Sequence, residues 1–239
     1  MSKRRIGAIC RKELREYRRN RSVLVALAIF PLIFLIQPIV VVYIVPASKA
    51  AQLSHGHVLL YMLALPVLTP AMLAAYAVAG EREQGTLEPV LTTPIRREEF
   101  LLGKALAVLA PSTGIAYAVF GFFLAFVALF AHPAVASAIL QGPDIVAQVL
   151  FTPLLAAFSI WVAIAISTRS SDVRVAQQLS LLGSLPVGVA TSLIAFDVIH
   201  ATLGLAIGLA VLLLLANALG WRIVAPMFDR ERLLTGTAR

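Results

Sequence analysis

The charged residues of this chain are concentrated in one interval, residues 80–104, which reads GEREQGTLEPVLTTPIRREEFLLGK. Nine charged side chains lie there, in a chain that is 60% hydrophobic. Carboxylates and guanidinium groups around a short apolar run suit recognition of a second protein, because the apolar face supplies affinity and the charges fix the register. The chain contains no GxxxxGK[ST] phosphate loop, so it cannot hydrolyse ATP by that route.

The centre of this interval predicts a short cytoplasmic helix of about two turns. Gly85 can end the preceding helix and Thr86 is a suitable N-cap, while Leu87, Val90 and Leu91 would share one helical face. The residues predicted to contact a partner protein are Glu81, Glu83, Gly85, Thr86, Leu87, Glu88, Val90 and Leu91. The alternative is an ordinary connector that caps two helices.

The charged interval lies among six long apolar runs, and the structures that these runs form must position it. They cover residues 23–45, 58–79, 105–131, 147–167, 179–196 and 201–221, and none contains Asp, Glu, Lys, Arg or His. About 20 apolar residues are needed for a helix to cross the hydrocarbon core, and barrel strands would alternate in polarity instead. The sequence therefore predicts an all-α polytopic membrane protein with six transmembrane helices.

The distribution of Lys and Arg predicts the orientation. Nineteen of the 20 lie in residues 1–22, 80–104, 168–178 and the segment after Trp221, whereas the alternate loops hold only Lys49. We therefore expect both termini in the cytoplasm and a multi-pass protein of the cell membrane. The net charge of +8 is mainly a topology signal, and no basic motif with interleaved aromatic residues indicates nucleic-acid binding.

The sequence divides into a single membrane domain, residues 23–221, between two cytoplasmic ends. Residues 1–22 predict an amphipathic helix lying in the inner membrane interface, with an apolar face made of Ile6, Ile9, Cys10, Leu14 and Tyr17. The alternative is that its arginines only fix the topology. Residues 222–239 form a short tail. The first run is too long for a signal peptide, so we interpret it as an uncleaved span.

The absence of ionisable residues from the six runs argues against two classes of protein. A carrier driven by a proton or ion gradient usually places such groups within the membrane. An intramembrane enzyme would need a nucleophile with a base, or metal ligands at matched depth, and the runs offer neither. The single cysteine, Cys10, excludes an intrachain disulfide and is no metal site by itself. If the protein transports a molecule, a pathway lined by these apolar helices favours a hydrophobic or amphipathic cargo.

The interval 80–104 resembles the signature of the ATP-binding-cassette type 2 permeases, the membrane subunits of exporters. The matching features are the glutamate-rich GTLE segment, the TP turn and the LLGK entry into the third run. The basic RKELREYRRNR before the first run and STRSSDVRVAQQ between the fourth and fifth are similar too, so the resemblance covers essentially the whole chain.

The resemblance implies a coupling helix at residues 85–91, docked on a separate ATP-binding subunit that binds ATP and Mg²⁺, with no cofactor in this chain. It implies secondary cytoplasmic contacts at Arg15, Arg18, Arg169, Asp172 and Arg174. It also implies a second permease chain, identical or different, and export across the cell membrane, which we expect to be a prokaryotic plasma membrane. The short segment around residues 197–200 leaves little room for the re-entrant outer helices of some family members.

A different class of function stays open from the sequence alone. A membrane scaffold or sensor would use the same cytoplasmic interval to recruit an ATPase without moving a solute. Reconstituted vesicles distinguish the two classes, because a scaffold gives no ATP-driven flux.

Overall fold

The computed structural model describes residues 1–76, 78–85 and 95–227, and within them it is built from α-helices and short 3-10 helices without a strand. The α-helices are α1 (Lys3–Arg19), α2 (Arg21–Tyr43), α3 (Ala50–His55), α4 (Leu65–Ala75), α5 (Ala79–Glu83), α6 (Arg97–Phe130), α7 (Pro133–Ile139), α8 (Gly142–Ser167), α9 (Val173–Ala195) and α10 (Leu203–Met227). The 3-10 helices cover Ala47–Lys49 and Val58–Ala64.

Six helical segments are long and apolar enough to cross a membrane, which confirms the predicted all-α polytopic architecture. They are Val23–Tyr43, Val58–Glu83, Arg97–Phe130, Gly142–Ser167, Val173–Ala195 and Leu203–Met227. The predicted coupling helix falls on residues 86–91, outside the described residues, and so does the end of the tail from residue 228.

Four of the helices, α6, α8, α9 and α10, are longer than the apolar runs that predict them. Helix α6 begins at Arg97, whereas its apolar run begins at residue 105, and α9 begins at Val173 rather than at residue 179. Hydropathy marks only the part of a helix that suits hydrocarbon, and the backbone hydrogen bonding continues into the polar flanks. The extension of α6 carries the charges of residues 97–104 on a helix that is continuous with a membrane span.

The second span lies at the centre of the bundle. Helix α4 packs against α2, α6, α8 and α9, whereas α10 packs mainly against α8. The most apolar window of the second span is 72% buried within the chain, compared with 6% for the sixth span. Any movement of the second span therefore acts on most of the bundle, while α10 presents its apolar surface outward.

The amino-terminal helix α1 is amphipathic as predicted, but its apolar face packs against protein. Ile9 and Tyr17 are buried in a cluster with Phe100 and Leu101 of α6. At its start, Ser2 donates a backbone hydrogen bond to Glu99 Oε1 at 2.6 Å. The helical extension of α6 covers this face, and the location of α1 in the membrane interface stays a prediction.

The opposite end of the bundle is closed by short helices and a turn. Helices α3 and α7 pack together, and Asp144 at the start of α8 pairs with His57 Nδ1 at 2.8 Å. Helix α9 ends at Ala195 and α10 begins at Leu203, and Asp197 adopts a left-handed conformation with φ of 57°. The predicted short turn between the last two spans is confirmed.

Gly103 allows the close approach of α1 to α6 and gives a test of this packing. A Cβ atom there would lie 2.6 Å from Cγ2 of Ile9. We expect Gly103→Ala to lower the free energy of unfolding by about 1–3 kcal/mol, as overpacking does. Denaturant unfolding of the purified chain in detergent would measure it.

The matched control is Gly114→Ala on the same helix, where an added Cβ would meet no atom within 4 Å. Alanine favours a helix interior by up to about 1 kcal/mol over glycine, so this variant should be as stable as the parent or more so. Equal stability of the two variants would contradict the packing of α1 described above.

Candidate functional site

Four charged side chains meet where α1, α5 and the start of α6 converge. Lys104 Nζ of α6 lies 3.0 Å from Glu13 Oε1 of α1 and 3.0 Å from Glu81 Oε1 of α5. Lys12 Nζ lies 2.8 Å from the same Glu81 oxygen. Lys104 is fully buried, and Glu13 and Glu81 are 3% and 4% exposed. We call these four residues the charge cluster.

The helical repeat explains why these charges are inside. Glu13 lies four residues after Ile9 and four before Tyr17, so it shares the buried face of α1. Lys104 follows Phe100 by one turn of α6, and its ammonium lies 4.9 Å from the centre of that ring. The side chains that form the cluster are thus fixed by the apolar packing of α1 on α6.

The two carboxylates and two ammonium groups of the charge cluster balance. Buried charges are tolerated when they are paired and hydrogen-bonded, and removal of one partner leaves the others uncompensated. Burial would lower the pKa of Lys12, but the hydrogen bond to Glu81 and the charges of Glu13, Glu81 and Glu16 outweigh it and raise the pKa. Lys12 therefore stays a cation at physiological pH.

Helix α4 ends at Ala75 and helix α5 begins at Ala79, and a serine of the fourth span supports the backbone at this break. Ser167 Oγ accepts hydrogen bonds from the backbone N–H groups of Val78 and Ala79, at 3.1 and 2.9 Å. The same hydroxyl donates to the carbonyl of Ala75 at 2.6 Å. Buried backbone groups freed by a helix break need such partners in a membrane. Ser167 thereby fixes α5 to α8.

The other polar side chains of α5 attach it to the segment between α8 and α9. Arg82 donates from Nη1 to the carbonyl of Ser170 at 2.7 Å and from Nη2 to that of Thr168 at 3.3 Å. Glu83 Oε1 accepts a hydrogen bond from the backbone N–H of Val173, the first residue of α9, at 2.7 Å. Carboxylates are favoured at a helix N-terminus. Helix α5 is therefore hydrogen-bonded to the segment between α8 and α9 and to the start of α9, in addition to its contacts with Ser167 of α8 and with the charge cluster.

Of the described members of the predicted partner-binding set, Glu81 is buried, whereas Glu83 and Gly85 are exposed. Glu81 and Glu83 contact other elements of this chain, as given above. Gly85 has φ of +65°, and α5 ends at Glu83, so the prediction that Gly85 terminates the preceding helix is confirmed. The other predicted members, Thr86, Leu87, Glu88, Val90 and Leu91, lie outside the described residues.

The predicted secondary contacts lie on the surface at the same end of the bundle. Arg15, Arg18, Arg169, Asp172 and Arg174 are all exposed. Asp172 also caps α9, because its Oδ1 accepts from the backbone N–H of Arg174 at 2.6 Å and of Val175 at 3.2 Å. The structure brings this set to the end where α5 and the charge cluster lie.

Sequence reasoning missed Glu13, Lys104 and Ser167. A signal existed for Glu13, since its spacing from Ile9 and Tyr17 places it on the predicted apolar face of α1. Lys104 was interpreted as the end of the charged interval, next to the third run. Ser167 ends the fourth run and has no feature in the sequence that separates it from other intramembrane serines. Among the described residues, no group of three His, Cys, Asp or Glu side chains could hold a metal ion.

The fold and this site define a multi-pass α-helical membrane protein whose second span ends in a short helix bonded to four neighbouring elements. A family sequence profile described as ABC-2 family transporter protein matches residues 7–221. The chain therefore belongs to the ABC-2 family of transporter proteins, and it is a membrane permease component of an ABC transporter. Family membership implies an ATP-binding partner subunit. A search of curated proteins finds no match.

Replacement of Lys104 tests the charge cluster. Lys104→Met keeps a similar length but leaves Glu13 and Glu81 without the buried cation, so we expect it to lower the free energy of unfolding by about 3–5 kcal/mol. The double variant Lys104→Met, Glu13→Gln leaves Glu81 paired with Lys12, which restores the charge balance and should recover much of that loss. Denaturant unfolding in detergent measures both, and a single variant as stable as the parent would contradict the cluster.

Proposed function

We propose that this chain is the membrane-spanning permease subunit of an ABC exporter, and that a separate ATP-binding subunit drives it through the segment after α5. The supporting observation is the attachment of α5. Through Glu81, Ser167, Arg82 and Glu83 this helix is bonded to α1, α6, α8 and the start of α9. A displacement of the segment that follows Gly85 would therefore be transmitted to several spans at once.

The geometry also supports a mechanism in which force enters at one end of the bundle. Helix α4 ends at Ala75 and α5 begins at Ala79, so α5 can tilt together with α1 and the α8–α9 segment while α4 stays packed in the centre. Rigid elements on either side of a short irregular segment are the usual arrangement of a hinge. We propose that closure of the ATP-binding subunits moves α5 and its partners about this break, and that the bundle then changes its access.

The same proposal covers the assembly and the location. We propose that two permease chains, identical or different, form the pathway with two ATP-binding subunits that hold ATP and Mg²⁺. The exposed arginines at residues 15, 18, 169 and 174 would then face the cytoplasm in a plasma membrane. Their position around α5 suits secondary contacts with the ATP-binding subunit.

Labelling with a membrane-impermeant maleimide tests this orientation. On a Cys10→Ser background, Arg4→Cys should react only after cell lysis, since Arg4 is exposed on α1. Lys49→Cys, exposed at the opposite end, should react in intact cells. The reverse pattern would place the termini outside and would contradict the proposed docking of an ATPase.

Coupling is tested by co-expression with the cognate ATP-binding subunit that this proposal requires. We expect Leu87→Asp and Glu83→Arg each to reduce co-purification of that subunit, and to lower the stimulation of its ATPase activity in proteoliposomes by about tenfold or more. Gly114→Ala, at an open position of α6, is the control and should change neither quantity. Normal co-purification and stimulation in both variants would count against coupling through this segment.

Transport needs a separate readout, because recruitment alone would also give co-purification. Proteoliposomes with both subunits should show ATP-dependent accumulation of a hydrophobic or amphipathic probe, and vesicles that lack either subunit should not. Recruitment of the ATPase with no flux of any probe would favour a scaffold over an exporter.

A further inference from the structure

A cleft with charged and aromatic side chains in its lining lies between the elbow that joins α1 to α2 and the inner end of the second span. Its volume is about 320 Å³. The lining residues are Glu13, Glu16, Tyr17, Arg19, Asn20, Val23, Tyr76, Gly80, Glu81 and Gln84. Glu13 and Glu81 belong to the charge cluster, where they bind lysines, so the proposed coupling already gives them a role. The proposed coupling gives the rest of the cleft no function.

The elbow places this cleft at the depth of the lipid headgroups. Val23 lines the cleft and is the first residue of the first span. Leu24 and Val25, which follow it, are exposed apolar residues and must meet the hydrocarbon. Arg19 and Asn20 precede Val23 by one turn or less, so they lie within the polar interface of the same leaflet. A bound molecule here would be partly in the membrane.

The lining carries charges of both signs. Arg19 is exposed. Glu16 Oε1 lies 3.2 Å from Lys12 Nζ, but the Glu16 side chain is 49% exposed, so it can accept a further hydrogen bond from a ligand. The two residues are three apart on α1, which makes them neighbours on the helix surface. The hydroxyl of Tyr17 is buried and makes no hydrogen bond with the described residues. The cleft therefore offers a cation, a carboxylate and an unused phenol within a small volume.

This combination selects among ligand charges. A purely anionic headgroup would meet the carboxylates of Glu13, Glu16 and Glu81, and a purely cationic one would meet Arg19. A zwitterion with phosphate and ammonium separated by two carbons can pair with Arg19 and Glu16 together. A primary ammonium also donates hydrogen bonds to a carboxylate, whereas a trimethylammonium group has no N–H to donate.

We propose that the cleft binds the headgroup of a phospholipid of the phosphoethanolamine class, with Arg19 on the phosphate and Glu16 on the ammonium. The glycerol and first acyl carbons then lie toward Val23 and the exposed apolar face of α2. The lipid joins the α1–α2 elbow to the inner end of the second span. This site depends on the membrane-spanning fold and not on the proposed coupling to an ATPase.

Lipid retention tests the proposal. The purified full-length chain is placed in nanodiscs that contain equal amounts of phosphatidylethanolamine, phosphatidylcholine and phosphatidylglycerol, and tightly bound lipid is counted by mass spectrometry after detergent washing. We expect phosphatidylethanolamine to be retained over the other two. Glu16→Gln and Arg19→Gln should each weaken its retention by about tenfold, the loss of one charge-assisted hydrogen bond.

The control is Arg11→Gln, an exposed arginine of α1 that does not line the cleft, and it should retain the lipid like the parent. An equal loss in this variant, or a preference for phosphatidylglycerol, would replace the proposal with a general attraction of the basic helix to anionic lipid. Retention of phosphatidylcholine equal to that of phosphatidylethanolamine would remove the role of the ammonium.

Two further measurements keep the test decisive. Unfolding temperatures of the parent chain should rise with added phosphatidylethanolamine more than with its N-trimethylated analogue, and this comparison needs no variant. Soluble glycerophosphoethanolamine at equal concentration should give no comparable rise, because it lacks the acyl chains. If it stabilises the chain as strongly as the lipid does, the occupant is a soluble metabolite and the membrane-lipid proposal is wrong.

Discussion

Burial of the Lys104 ammonium imposes a constraint that organises the cytoplasmic-facing end proposed for this bundle. Removal of an ammonium group from water costs several kcal/mol, and the cost is offset only by well-placed carboxylates. The third span cannot supply them, since its own nearby acid, Glu99, is hydrogen-bonded to Ser2. Glu13 and Glu81 come from two other elements, α1 and α5. Keeping Lys104 paired therefore requires both elements to dock on α6.

The break in the second span gives a second constraint, which acts on the backbone instead of on charge. A continuous helix would satisfy its own N–H and carbonyl groups, but a break leaves several of them exposed to a low-dielectric interior. The hydroxyl of Ser167 meets three of these groups, at Ala75, Val78 and Ala79. The break is thus stable only while α8 stays beside it. Charge pairing on one side of α5 and backbone pairing on the other hold this helix in one position.

The sequence was sufficient for the spans and insufficient for the contacts between them. Each membrane crossing is a local property, because a run of about 20 apolar residues is stable in hydrocarbon whatever its neighbours are. The left-handed turn at Gly85 was equally local. The pairing of Lys104 with Glu13 was not, since these residues are 91 positions apart and come together only after α1 docks on α6. The apolar face of α1 could be predicted from the sequence, but its packing against α6 could not, because amphipathicity indicates that a face is buried without indicating what covers it.

The difference between central and peripheral spans bears on how such a bundle can move. Helix α4 is enclosed by four spans, and small hydroxyl residues such as Thr69 and Ser159 are buried around it. A close-packed element of this kind transmits a displacement to its neighbours, because protein interiors are not readily compressed. Helix α10 packs mainly on α8, so a displacement of α10 relative to the other helices would disturb little packing. A force applied to α5 reaches the centre directly through Ser167 and α8, and the outer helices respond afterwards through their contacts with α8.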